Sequence, residues 1–145
     1  MNRFLIVGLI TFLFDQCSDP GSNSGCGSIN PQLWTESATT SILVRNSVCN
    51  NGSGILFKKV LSDSRCPEDV NCIWEGEIRI QLEIFSEADT IGTIELSSKE
   101  TTSEVTVAEH RYLMTMKRVE PYPNSTEQID PKSYIVTLAV DLKEE

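Results

Sequence analysis

The sequence predicts an all-β fold: an antiparallel β-sandwich of about seven strands, immunoglobulin-like or related, that disulfides hold together. Apolar and polar residues alternate along several segments, and turn residues separate those segments at fairly regular intervals. No window carries a helical stripe longer than a turn or two. The length of 145 residues suggests one domain. A barrel of similar strand number is the alternative.

The clearest strand signals lie at residues 74–84 and 134–142. In both segments apolar residues occupy one parity and polar residues the other, as in a half-buried strand. Shorter strands are expected at 40–47, 54–62, 90–97, 103–108 and 111–119, and Asn51-Gly52 is a hairpin turn signal. The predicted core residues are Trp74, Ile78, Ile80, Leu82, Tyr134, Val136 and Leu138. Since Trp74 is predicted to be buried, Trp74→Ala is expected to cost about 3–5 kcal/mol of stability.

The first 16 residues predict an export signal. Residues 4–14 form an unbroken apolar run, which has the length of a signal-peptide core and is too short to span a bilayer. Cys17 stands where a bacterial lipoprotein signal places its lipidated cysteine. Residues 17–38, rich in Ser, Gly, Asn and Pro, then predict a flexible tether, and the sandwich domain is expected at 39–145.

The lipoprotein signal departs from the usual pattern at two positions. A small residue is usual just before the cysteine and an aliphatic residue three before it, whereas Gln16 and Phe14 stand there. Simple secretion is therefore the alternative. The five cysteines favour lipidation, because an acylated Cys17, carrying palmitate or a similar chain, leaves four that can pair. We therefore expect the lipid on Cys17 to anchor the protein to a membrane of the bacterial cell envelope.

Residues 63–76, "DSRCPEDVNCIWEG", predict a structural clasp. A disulfide between Cys66 and Cys72 closes a ring of 7 residues, for which the chain-entropy model gives about 2.4 kcal/mol. Asp63 and Arg65 flank this bridge and are expected to pair with each other or to cap backbone amides. Gly76 either makes room for the Trp74 ring or marks a bulge. A second bridge joins Cys26 to Cys49 by elimination, although four cysteines allow three connectivities.

The residues do not predict a catalytic, metal or cofactor site. Structural zinc needs four Cys or His ligands, and the chain has one histidine, His110. Asp63, Glu68 and Asp69 cluster as calcium ligands would, but they lack the EF-hand spacing. No nucleophile elbow of the G-x-S-x-G type is present. The net charge of -9 argues against nucleic acid and anionic membrane surfaces as partners.

Three functions remain open from the residues. The first is a non-catalytic envelope module that binds a protein or a glycan through its loops. The second is a protease inhibitor that presents the 63–72 loop, with Arg65 offered to a trypsin-like enzyme. The third is an enzyme that acts on glycans through two carboxylates. Trp34 and Tyr122 favour glycan binding if they are exposed together, whereas Trp34 packed at a sheet edge does not.

The stretches "DSRCP" and "CIWEG" resemble a motif, D-S-R-C-P-x4-C-x-W-x-G, of small exported bacterial proteins, many of them lipoproteins. The stretch "VEPYPNSTEQIDPKSYIVTLAV" is similar to the Pro-rich loop and final Tyr-led strand of those proteins. The resemblance covers about residues 40–142, and it departs from the family at Glu75, where alanine is usual. It implies an exported location and this β architecture, and it implies no activity.

Overall fold

A computed structural model describes residues 26–87 and 89–143 of the chain. These residues form nine β-strands and no helix, and the strands divide into two sheets. The strand bounds are β1 Ser28–Ile29, β2 Ser37–Leu43, β3 Ser47–Asn50, β4 Ser53–Asp63, β5 Ile78–Ser86, β6 Asp89–Ser97, β7 Thr102–Val107, β8 His110–Glu120 and β9 Ile135–Leu142.

The two sheets are built mainly from neighbouring antiparallel strands. The five-stranded sheet has the order β1-β3-β4-β5-β6, and the four-stranded sheet has the order β2-β9-β8-β7. Only the short β1–β3 pair among these described strands is parallel. Asn51 and Gly52, both with positive φ, form the two-residue turn between β3 and β4, as their sequence predicts. The sandwich prediction is therefore confirmed.

The core lies between the two sheets and follows the alternation of the strands. Ile80 and Leu82 of β5 and Val136 and Leu138 of β9 are fully buried. Ile78 and Tyr134 are also buried, so six of the seven predicted core residues are confirmed. One face of each strand supplies this core, since successive side chains in a strand point to opposite faces.

Trp74 is the exception, and the prediction of its burial is wrong. Its side chain is 71% exposed. In the sequence the alternating pattern runs back through Gly76 to Trp74, but Gly76 has φ +67° and β5 begins only at Ile78. A left-handed residue interrupts the pleat, so the parity of Ile78 does not carry over to Trp74. Of the two alternatives for Gly76, the structure therefore favours a local break in the strand over room for a buried ring.

The sandwich begins earlier in the chain than the sequence predicts. Residues 26–38, assigned to the tether, contain β1 and the start of β2, and Leu33 is fully buried. The predicted strand 40–47 also proves to be the end of β2 and the start of β3, separated by a turn at Arg45 with φ 67°. The signal segment 1–16 and Cys17 lie outside the described residues.

Both predicted disulfides are present: Cys26 bonds to Cys49, and Cys66 bonds to Cys72. They lie at opposite ends of the sandwich. Cys49 pairs with Gly54 near the start of β4, whereas Cys66 follows the end of β4 at Asp63. The 11 residues of β4 separate these ends by about 33 Å. We call the end with Cys66 the clasp end and the end with Cys49 the N-terminal end.

Candidate functional site

Arg65 organises the clasp end. Its Nε and Nη2 donate to the two carboxylate oxygens of Asp63 at 2.8 and 2.6 Å. Its Nη1 donates to the carbonyl oxygen of Val119 at 2.7 Å, and Nη2 donates to that of Pro121 at 2.9 Å. The side chains of Arg65 and Asp63 are 7% and 10% exposed. The expected pairing of these two residues is confirmed, and the pair also ties the end of β4 to the last residues of β8 and to Pro121, which follows β8.

Two tyrosines complete this buried ion pair. The Tyr134 hydroxyl donates to Asp63 Oδ2 at 3.0 Å, and the Arg65 guanidinium lies 4.7 Å from the centre of the Tyr122 ring. Burial opposes ionisation of Asp63, but the hydrogen bonds and charge of Arg65 hold the pKa of this carboxyl below its ordinary 3.8. Burial and the hydrogen bond to Asp63 raise the pKa of Tyr134 to about 12. The pair is therefore charged on both sides at neutral pH.

Residues 66–76, which we call the clasp loop, are fixed by the disulfide and by backbone hydrogen bonds. Cys66 N–H donates to the carbonyl of Glu75 at 2.8 Å, and Glu68 N–H donates to the carbonyl of Pro123 at 3.0 Å. The carboxylate of Asp69 accepts hydrogen bonds from the backbone and hydroxyl of Ser125. These contacts tether the loop at both of its ends and at its middle.

Gly76 is required where the clasp loop meets β5. Its φ of +67° lies in the left-handed region, and a Cβ placed there would stand 1.8 Å from the carbonyl oxygen of Ser64. Ser64 N–H in turn donates to the carbonyl of Glu77 at 2.8 Å. The close approach of these two backbone segments therefore depends on a residue without a side chain.

The clasp loop presents its apolar side chains to solvent. Ile73 and Trp74 are 105% and 71% exposed, and Val70 is 47% exposed. We call these three residues the apolar tip. Sequence reasoning assigned Trp74 to the core and did not single out Ile73 or Val70. The available signal was the short Cys66–Cys72 ring, which contains Val70 and lies directly before Ile73 and Trp74, outside the regular pleat of β5.

The position of Arg65 bears on the protease-inhibitor hypothesis. An inhibitor of a trypsin-like enzyme must extend an arginine side chain into the pocket of the enzyme. The Arg65 guanidinium instead donates hydrogen bonds to Asp63 and to two backbone carbonyls inside the protein. Releasing it would leave the buried Asp63 carboxylate without its counter-charge. The expectation that Arg65 is presented on the loop is therefore wrong for this structure.

A second concave region lies at the N-terminal end. This cleft has a volume of about 460 Å³ and is lined in part by Trp34, Glu36, His110 and Tyr112. Trp34 packs edge-on against Tyr112, with ring centres 5.2 Å apart, and is partly buried against the core. Among the described lining residues Glu36 is the one carboxylate, whereas glycoside hydrolysis ordinarily uses two.

Trp34 and Tyr122 do not form a joint exposed surface. Trp34 contacts Tyr112 near the start of β8, whereas Tyr122 follows the end of β8 and contacts Arg65. The 11 residues of β8 correspond to a separation of about 33 Å. Trp34 and Tyr122 therefore do not form the joint glycan-binding surface considered from the sequence, and Trp34 packs against Tyr112 and the core instead.

Two of the acidic residues of the clasp end, Asp63 and Asp69, bind different partners. Asp63 binds Arg65, and Asp69 binds Ser125. Across 26–87 and 89–143 no group of three or more His, Cys, Asp or Glu side chains is arranged to hold a metal ion. The same residues contain no helix with the length and apolar character needed to cross a bilayer.

No known protein family, curated protein or solved structure matches this chain. The resemblance to small exported bacterial proteins therefore stays a prediction.

Proposed function

We propose that the protein is a non-catalytic binding module of the bacterial cell envelope, held there by lipid on Cys17, and that it binds its partner through the apolar tip. The observation that carries this proposal is the full exposure of Ile73 beside the 71% exposed Trp74. A soluble domain ordinarily buries residues of this size, and clustered exposed apolar side chains mark interaction sites.

The rigidity of the clasp loop supports a binding role. Ordering a flexible loop costs free energy on association, and a loop already fixed avoids most of that cost. Here the Cys66–Cys72 bond and the hydrogen bonds of Asp69 fix the loop before any partner arrives. Tryptophan is also enriched among the residues that dominate interface affinity. The sequence thus maintains an ordered loop whose apolar residues are excluded from the core.

The position of the N-terminal segment supports presentation of the tip away from the anchoring membrane. Cys26 is bonded to Cys49 at the N-terminal end, about one strand length from the apolar tip. Two disulfides are also compatible with an exported protein, because they persist in oxidising compartments. A lipid on Cys17 would therefore hold the end of the sandwich opposite to Trp74.

The anchor is tested with Cys17→Ser in the native host. Wild type is expected in the membrane fraction and to label with a palmitate analogue, whereas Cys17→Ser is expected to do neither. Wild-type protein that is soluble, unlabelled and cleaved beyond Cys17 would show simple secretion instead. A single acyl chain binds membranes only marginally, so stable retention requires more than one.

The binding surface is tested by placing a photo-crosslinking amino acid at position 73 in the native host. Position 91 is the matched control, because Ile91 is also an exposed isoleucine, 48% exposed, and lies on β6 near the N-terminal end. We expect a defined crosslinked product from position 73, none from position 91, and loss of the product with Trp74→Ser. Equal products from both positions would contradict the proposed surface.

A further inference from the structure

We infer that the partner of the apolar tip is a protein with an apolar pocket rimmed by Lys or Arg side chains. This inference rests on the proposed function and names the class of partner. It follows from the charges that surround the tip and from the place where the N-terminal segment joins the sandwich.

All charged side chains of the clasp loop, which carries the apolar tip, are acidic, and we call them the acidic rim. Residues 66–76 include Glu68, Asp69 and Glu75 and contain no Lys or Arg. All three acidic residues are exposed, and neither Glu68 nor Glu75 forms a salt bridge within the described part of the chain. Arg65, the nearest cation in sequence, is neutralised by Asp63. An apolar centre with an acidic rim is complementary to an apolar pocket with a basic rim.

Hydrogen bonding keeps Asp69 ionised within this rim. The hydroxyl and backbone N–H of Ser125 donate to its carboxylate and hold the pKa of Asp69 below its ordinary value. Asp69 is therefore a fixed negative charge, whereas the side chains of Glu68 and Glu75 are free to adjust to a partner. This difference makes the two glutamates the better positions for substitution.

A lipid surface fits the tip poorly. Anionic headgroups would be repelled by the three carboxylates and by the net charge of -9. Nine residue steps separate Cys17 from Cys26, and even fully extended they span at most about 32 Å. That length barely equals the distance from the N-terminal end to the tip. Insertion of the tip into the membrane that holds Cys17 is thus opposed by both charge and geometry.

A glycan and a second copy of the chain also fit less well. A sugar ring can stack on the Trp74 ring, but its hydroxyl groups offer no complementary apolar surface to the exposed Val70 and Ile73 of the tip. A second copy would bring an identical acidic rim against the first. Like charges across an interface are unfavourable, so a basic protein surface is the better complement.

The test uses the purified protein that crosslinks at position 73, with binding to the full chain measured by surface plasmon resonance at 50 and 200 mM salt. The rim variant is Glu68→Gln with Glu75→Gln. The control variant is Glu87→Gln with Glu109→Gln, which removes the same charge from two exposed turn residues of the N-terminal end. We expect about tenfold weaker binding of the rim variant, mainly through a slower on-rate, and a control within about twofold of wild type.

The outcomes separate the inference from the proposed function. Weaker binding at 200 mM salt together with the loss in the rim variant supports the inference. Unchanged binding of the rim variant at both salt concentrations overturns it, while loss of binding with Trp74→Ser still upholds the proposed surface. Unchanged binding of Trp74→Ser overturns the proposed surface itself.

Other partners give different readouts, each of which overturns the inference. Binding to vesicles of three parts phosphatidylcholine and one part phosphatidylglycerol that is lost with Trp74→Ser would identify a lipid partner. Trp74-dependent retention on insoluble cell-wall glycan would identify a sugar partner. A crosslinked product of twice the mass of the chain, matched by a dimer in analytical ultracentrifugation, would identify a second copy.

Discussion

Trp34 and Trp74 lie at opposite ends of the sandwich, and only Trp34 packs against it. Trp34 follows the fully buried Leu33, and its backbone carbonyl accepts a hydrogen bond from the Tyr112 hydroxyl at 2.8 Å. Trp74 follows a disulfide ring and stays 71% exposed. The same residue type thus completes the fold at one end and remains available to a partner at the other.

The difference shows how local backbone geometry decides the fate of an apolar side chain. At the N-terminal end the disulfide separation is 23 residues, which leaves enough chain for Leu33 to reach the core. At the clasp end the separation is 6, and Gly76 turns the chain before β5 begins. The backbone of a tightly closed loop is fixed, so its side chains could reach the core only if the whole loop moved.

The largest expected effect is at the clasp end, from Arg65→Ala. This change leaves the buried Asp63 carboxylate without its counter-charge and removes the donors to two carbonyls. Removing one partner of a buried pair costs about 3–5 kcal/mol. The matched control is Arg79→Ala, whose pair with Glu95 is 49% and 47% exposed, and it should cost less than about 1 kcal/mol. Chemical denaturation measures both, and equal losses would contradict the anchoring role of Arg65.

The two disulfides provide the next comparison. The chain-entropy model gives about 3.4 kcal/mol for the longer Cys26–Cys49 loop and about 2.4 kcal/mol for the Cys66–Cys72 loop. Replacing both cysteines of a bridge by alanine should therefore lower the free energy of unfolding more for Cys26–Cys49 than for Cys66–Cys72. Cys49 is 1% exposed, so the packing lost there adds to the difference. A larger loss from removing Cys66–Cys72 in urea denaturation would reverse the comparison.

Alanine substitution of the two tryptophans should also cost more stability at the N-terminal end than at the clasp end. Trp34→Ala removes a partly buried ring that contacts Tyr112, and we expect a loss of about 2–3 kcal/mol, below that of a fully buried aromatic. Trp74→Ala should cost less than about 1 kcal/mol, because little of its surface is removed from water on folding. A loss of 3 kcal/mol or more at Trp74 would return it to the core and weaken the case for the apolar tip.

Glycine substitutions test the backbone of the clasp loop. Gly76→Ala places a Cβ in the left-handed region and against the Ser64 carbonyl, and the strain alone costs about 1–3 kcal/mol. Gly92→Ala on β6 is the matched control, since a Cβ there meets no atom within 4 Å. It is expected to be neutral or slightly stabilising. Thermal unfolding of the two variants gives the comparison, and equal stability would show that the loop does not need Gly76.

A small effect is expected at the edge of the Asp63–Arg65 ion pair. Tyr134→Phe removes one hydrogen bond to Asp63 and should cost about 1 kcal/mol in chemical denaturation.

The contribution of Asp63 to stability should depend on pH. Because the pKa of Asp63 is lowered on folding, its ionised form stabilises the fold above the ordinary pKa of 3.8 and loses that contribution as pH falls through the folded value. The gap in Tm between wild type and Asp63→Asn should therefore be constant above about pH 5 and narrow below 3.8. A constant gap across the acid range would contradict the pKa shift.

The sequence predicted those parts of the molecule in which a strand continues without interruption. Period-2 alternation located β5 from Ile78 onward and β9, because each strand keeps one face in the core. The short loop before the strongest strand predicted the Cys66–Cys72 bridge, and Cys26–Cys49 followed by elimination once Cys17 was set aside. The Asp63–Arg65 pairing was also accessible, because the two residues flank the bridge.

The sequence did not predict features that depend on where the pleat breaks. Alternation cannot reveal a left-handed residue, so Trp74 was assigned to the same face as Ile78. β1 and β3 have 2 and 4 residues, too few for an alternating pattern to stand out. The Ser- and Asn-rich composition of residues 26–38 concealed that Leu33 is buried. The apolar tip was missed for the same reason as the exposure of Trp74.

The placement of the two bridges has a mechanical consequence. A pull between the N-terminal segment and the tip enters at Cys49, which pairs with Gly54 near the start of β4, and leaves through Asp63 at the end of β4 and Ile78 at the start of β5. The load is therefore shared by β4 and β5 and acts along these strands, so the hydrogen bonds of their antiparallel ladder are sheared together. β1 and β2 are bypassed, because the covalent bond at Cys26 carries the force past them. A sandwich loaded in this direction would resist tension better than a sandwich whose strands peel off one hydrogen bond at a time.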